Sequence, residues 1–145
     1  MKYEKLDVTD NFTIKVEGEN SGENWVGIFK CKVRLSHRDI LRRDAIRREL
    51  LGANPENASL RAITEANAFA ELAVRLVDTP QWWKELDNGL ELEDPNVVQA
   101  VIDEVEKIVQ REVESRAKKV EEAKKILVSE LETNPRLKPE EKHQA

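Results

Sequence analysis

The sequence is poor in the residues that usually announce chemistry or a covalent framework. It holds one cysteine, two histidines, five glycines and five prolines in 145 residues, and only 5% of its side chains are aromatic. A lone Cys31 excludes an internal disulfide, and so few glycines and prolines exclude collagenous or linker-dominated chains. No apolar run approaches the roughly 20 residues that a membrane-spanning helix requires. The opening MKYEKLDVTD lacks the apolar centre of a secretory signal, so a reducing intracellular compartment is expected and a membrane location is not. What the chain does have is charge: 37% of residues are charged and 39% hydrophobic, with a net charge of −5. Its length and composition fit one soluble domain, or one domain with an extended arm.

Two segments alternate as strands do. Phe12, Ile14 and Val16 repeat every second residue, and from Phe29 to Leu35 four apolar side chains face one way while Lys30, Lys32 and Arg34 face the other. Between them the turn-forming stretch 17–24 predicts a β-hairpin with a loose loop. A helix is predicted from Ser36, whose hydroxyl and Asp39 resemble a capping box, to a stop at Gly52, with Ile40, Leu41, Ala45, Ile46, Leu50 and Leu51 near one stripe. A second helix is predicted from Pro55 to Val77, Ala-rich and the most buried. Asp78-Thr79-Pro80 breaks it and starts a short helical turn carrying Trp82, Trp83 and Leu86. After the turn signal Asp87-Asn88-Gly89, Leu90 and Leu92 alternate with glutamates, and Asp94-Pro95 supplies an N-cap and first position.

The last helix runs from Pro95 to about Thr133 without Pro or Gly, a length of roughly 55 to 60 Å at 1.5 Å per residue. Such a helix outgrows a small domain and is expected to project in part into solvent or to pair with another chain. The fold class expected is α+β, mainly α: an N-terminal β-hairpin, then three helices. Residues 1–110 form a single domain, 111–133 extend the long helix, and 134–145 form a flexible charged tail.

Charge is strongly polarised. Residues 30–48 contain eight Lys or Arg and two Asp, a net +6, and residues 84–106 carry −7. The basic segment suits phosphates or carboxylates, but Asp39, Asp44 and Glu49 lie within helical reach of Arg43, Arg47 and Arg48, and no aromatics interleave them, so nucleic acid is disfavoured as a partner. The acidic segment is expected to face the basic one, within the fold or between copies. Its Asp87-Asn88-Gly89 run does not have calcium-loop spacing, and no metal or cofactor is expected. Neither His37 nor His143 is placed as a general base, Cys31 falls on the apolar strand face, and no phosphate loop or nucleophile motif is present, so an enzyme is not expected. Of Trp82 and Trp83, one is expected in the core or as its lid and the other is open to a partner.

Leu35 to Arg38, Arg47 to Gly52, Val77-Asp78-Thr79-Pro80-Gln81-Trp82-Trp83 and Gly89 to Val98 together resemble the tail assembly chaperones of long-tailed bacteriophages, small proteins with a Pro-x-Trp-Trp-like turn and a charged helical C-terminus. The resemblance covers residues 25–110 and departs from the pattern at Pro95. It implies a non-catalytic protein of the host cytoplasm that coats the tape-measure protein, helps recruit tail-tube subunits and self-associates. The partner-binding residues implied are Trp82, Trp83, Leu86, Leu90 and Leu92, with Arg38, Arg42, Arg43 and Arg47. A structural virion or connector protein retained in the particle, and a nucleic-acid-binding module using the Arg-rich helix, are the alternatives.

Overall fold

The computed structural model describes residues 8–133. Strands β1 (Thr9–Glu17) and β2 (Asn24–Lys32) form an antiparallel hairpin, with Phe12 opposite Phe29 and Val16 opposite Trp25. Alternation puts Phe12, Ile14, Phe29 and Cys31 on the buried face and leaves Val26 and Ile28 on the other. Helix α1 (His37–Leu51) follows, then a 3-10 turn at Pro55–Asn57, helix α2 (Leu60–Arg75), strand β3 (Leu76–Asp78), the short α3 (Gln81–Glu85) and the long α4 (Pro95–Thr133). Helix accounts for 62% of the described residues and strand for 17%, so the mainly helical α+β class read from periodicity holds. The chain divides into two compact units between Val109 and Gln110. The tail at 134–145, with His143, lies outside the described residues.

The core of the first unit joins the inner sheet face to Leu72, Trp83 and one stripe of α4, Val97, Val101, Val105 and Ile108. These four recur at steps of four, four and three, the spacing that keeps one helix face on the sheet. Phe12 and Phe29 stack at 5.1 Å, and Trp83 meets Phe29 edge-on at 5.4 Å. Such geometry matches the ring quadrupoles as well as burying area.

Helix α1 starts as its sequence predicts. Ser36 Oγ accepts the Asp39 N–H at 3.2 Å, and Asp39 accepts the Ser36 N–H at 3.0 Å. That bond, with the Lys32 ammonium at 3.0 Å, holds the Asp39 carboxyl at about 2. Gly52, at φ 79°, closes the helix by donating to Arg48 and Glu49 carbonyls.

Three expectations need correction. Residues 76–78 extend the apolar period of α2, which predicts helix to Val77, yet they pair antiparallel with β2 as a third strand. The open edge of β2 offers hydrogen bonds that helical periodicity cannot anticipate. The apolar stripe of α1 is not buried as one: Leu41 is 70% exposed, Leu50 is 39% exposed, and Asp39 is the buried residue of the helix. The seam with α2 instead carries Arg43 and Arg47, which line a notch together with Asn67, Ala70 and Glu71. The hairpin loop, finally, is not loose, because α4 clamps it.

Candidate partner-binding site

The clamp centres on Asp94, the residue ahead of α4. It is fully buried, and its carboxylate accepts the Asn20 N–H at 2.7 Å, the Ser21 N–H at 2.9 Å, the Ser21 hydroxyl at 2.5 Å and the Trp25 indole N–H at 3.0 Å. The Ser21 hydroxyl, seconded by the Ser21 and Asn20 N–H groups, lowers its pKa to about 2 against the opposing effect of burial. Asn96 completes the joint, accepting from Glu19 N–H at 3.1 Å and donating to the Glu17 carbonyl at 2.8 Å. The sequence places Asp94 correctly at the helix start, but its carboxylate serves the hairpin rather than the helix's own first turn.

A second polar joint ties the helices to the sheet. Glu71 of α2 accepts from Arg43 of α1 at 2.8 Å and from Arg75 at 2.5 Å, and Arg75 also donates to the Lys32 and Val33 carbonyls at 3.0 and 3.2 Å. Burial acts to raise the Glu71 pKa, and the bonds from Arg75 and Arg43 overcome it, so the carboxyl stays below its ordinary value. Arg43 is thereby committed inside the fold. The pairing expected around it differs in two places: Asp39 bonds Lys32, and Arg43 bonds Glu71. Glu71, 28 residues from Arg43 along the chain, is the counter-charge that helical spacing could not find.

Between α1, α2, β3 and α3 lies a cleft of about 730 Å³. Ile46 and Leu50 of α1 form one wall, Phe69, Leu72 and Ala73 of α2 the floor, Leu76 and Val77 of β3 one end, and Trp83 with Leu90 the other. Arg42, Glu49, Lys84 and Asp87 rim it. Leu50, Val77 and Leu90 remain between 39% and 49% exposed at its mouth. The turn beneath Leu90 is built by three successive positive φ angles at Asp87, Asn88 and Gly89, and a Cβ on Gly89 would stand 2.5 Å from the Trp83 ring. Only glycine lets that turn close over the indole.

The predicted partner-binding residues are therefore dispersed. Arg42, Trp83 and Leu90 line the cleft, whereas Arg43 and Arg47 line the α1–α2 notch. Leu86 and Leu92 sit beside Trp25 and Asp94 in a small pocket of about 220 Å³. Trp82 lies on the sheet, donating its indole N–H to the Val26 carbonyl at 2.9 Å and facing Trp25 at 4.9 Å. Trp83, 1% exposed, is the core member of the pair. Arg38 is exposed at the start of α1. Sequence reading missed Ile46, Leu50, Phe69, Leu76 and Val77 as a set, although the surplus of apolar positions on α2, wider than one core-facing stripe, was a signal.

Cys31 is fully buried, and burial pushes its thiol pKa up, the opposite of what a nucleophile needs. Among the described residues no group of three His, Cys, Asp or Glu could hold a metal ion, and no helix is long and apolar enough to cross a membrane. No protein-family model, curated protein or solved structure matches this chain.

Proposed function

We propose that this chain is a non-catalytic protein-binding module that reversibly covers an apolar helical segment of another protein. The observation that carries the reading is the cleft: an apolar floor, partly exposed Leu50, Val77 and Leu90 at its mouth, and a rim of both charge signs. An amphipathic helix laid in such a groove buries anchors at i, i+3 or i+4 and i+7 while its polar face meets the rim. The resemblance to tail assembly chaperones supplies the finer reading. The bound segment belongs to the tape-measure protein of a long-tailed bacteriophage, and the complex forms in the host cytoplasm and helps recruit tail-tube subunits. Reversible burial involves no covalent step, which suits a factor that must leave before the tail is complete.

The test is binding of purified tape-measure segments, followed by titration of tryptophan fluorescence, with Val77→Glu as the cleft variant. Saturable binding that Val77→Glu weakens at least tenfold supports the reading, that factor corresponding to about 1.4 kcal/mol. Binding that Val77→Glu leaves unchanged removes the cleft as the site. Recovery of the protein in purified mature particles would replace the chaperone with a structural component.

A further inference from the structure

The second unit offers a different surface, one that does not rest on the cleft. Along α4 beyond Val109, almost every side chain is exposed. Val113, Val120 and Leu127 stand seven residues apart and are 55%, 54% and 57% exposed. Four residues after each come Ala117, Lys124 and Leu131, so the six positions form the seam of a heptad repeat, with the first three at d and the others at a. An isolated helix with so thin a stripe has little to hold it in water, and covering the seam is what would stabilise it.

Charge decides what covers it. With this register Arg116, Ala123 and Glu130 occupy g, while Glu114, Glu121 and Val128 occupy e. In a parallel pair each g residue faces the e residue five positions later on the other helix. Arg116, which pairs with Glu112 of its own helix at 3.2 Å, then also meets Glu121 of the second copy, twice by symmetry, and Ala123 covers Val128 of the second copy, a side chain otherwise 53% exposed. An antiparallel pair centred on the same segment offers Arg116 the Glu130 of the second copy instead, but it sets Glu121 against Glu121 of the second copy, which is repulsive, and leaves Val128 facing Glu114 of the second copy rather than an apolar neighbour. Lys124 at an a position has the known use of fixing register and strand number at some cost in stability.

We propose that residues 110–131 form a parallel, in-register, two-stranded coiled coil with a second copy of this chain. Light scattering on the full-length protein should give twice the 16.7 kDa chain mass. Arg116→Glu should weaken the dimer about tenfold by turning two attractions into repulsions, and adding Glu121→Arg should restore it. Both positions are outside the core, and unchanged tryptophan fluorescence would show that the first unit stays folded.

Disulfide trapping reads the orientation. Val113→Cys and Leu127→Cys, made separately, should each cross-link to themselves on mild oxidation, because d positions face their own counterparts in a parallel pair. The parent chain, whose Cys31 is fully buried, should not. A monomer at about 100 µM, an affinity too weak to matter in a cell, would overturn the proposal. So would a trimer, a dimer indifferent to Arg116→Glu, or two cysteine variants that fail to cross-link to themselves while Val113→Cys cross-links to Leu131→Cys, the d-to-a contact that marks an antiparallel pair.

Discussion

The Trp25 indole donates to the Asp94 carboxylate at 3.0 Å, a bond spanning 69 residues that ties the second strand of the hairpin to the start of α4. The same carboxylate holds two backbone N–H groups and a hydroxyl of the hairpin loop. A group at about 2 in the folded chain, against about 3.9 when unfolded, adds stability that is complete above the unfolded value and is lost as pH falls through the folded one. Asp39, also held at about 2, adds to the same window. Chemical denaturation between about pH 5 and about pH 2 should therefore show stability falling with acid. Asp94→Asn should start less stable at neutral pH and flatten that slope, and an unchanged slope would dissociate the clamp from acid sensitivity.

Gly18 is the other half of the clamp. A Cβ there would stand 2.1 Å from Asp94 Oδ2, inside any tolerable contact, and Asp94 cannot retreat without releasing the loop. Gly18→Ala should cost about 1 to 3 kcal/mol, the range for overpacking a filled site, whereas Gly22→Ala, with open space around it, should cost only the strain of its positive φ. Paired urea melts of the two variants measure the difference.

Local signals carried much of the fold. Ser36 with Asp39 and the glycine at 52 mark both ends of α1 by chemistry contained within a few residues, and the alternation of Phe12, Ile14, Phe29 and Cys31 fixes which sheet face is buried. Three features were hidden because their causes are distant in sequence. Leu76–Asp78 becomes a strand only because β2 presents an edge. Arg43 leaves the basic patch only because Glu71 lies across the helix seam. Asp94 looks like a helix cap until Trp25 and Ser21 are brought to it. The cleft stayed hidden for a related reason: each of its walls reads as an ordinary core-facing stripe, and only the polar seam between α1 and α2 turns Ile46 and Leu50 away from the core.

Arg75 ends α2 and is 8% exposed, with its guanidinium bridging Glu71 and the Lys32 and Val33 carbonyls at the end of β2. Removing it leaves the Lys32 and Val33 carbonyls without that donor and the partly buried Glu71 carboxylate with Arg43 alone. Arg75→Ala should cost about 3 to 5 kcal/mol, and Arg75→Met, which restores the stem but not the donors, should recover only part of that. Arg43→Ala should cost less, about 1 kcal/mol, because its pair with Glu71 is one-third exposed. If thermal melts rank Arg43→Ala as the costlier change, the joint is held from α1 and not from the sheet.

Trp83 tests whether cleft and core are one structure. It is 1% exposed, meets Phe29 at 5.4 Å and Trp82 at 6.0 Å, and its ring is capped by the backbone of Gly89 while also lining the cleft. Trp83→Ala should lower stability by about 3 to 5 kcal/mol through lost contacts and the cavity left behind. Trp83→Phe keeps most of the edge-on contact with Phe29 and should cost less, yet it removes the outer ring on which the 87–89 turn rests. The expected outcome for Trp83→Phe is a cooperative melt close to that of the parent with weaker capture of an apolar helix, measured by fluorescence anisotropy of a labelled peptide. Equal losses of stability and binding in both variants would mean that Trp83 serves the core alone and that the cleft draws its affinity from the Leu50 and Val77 walls.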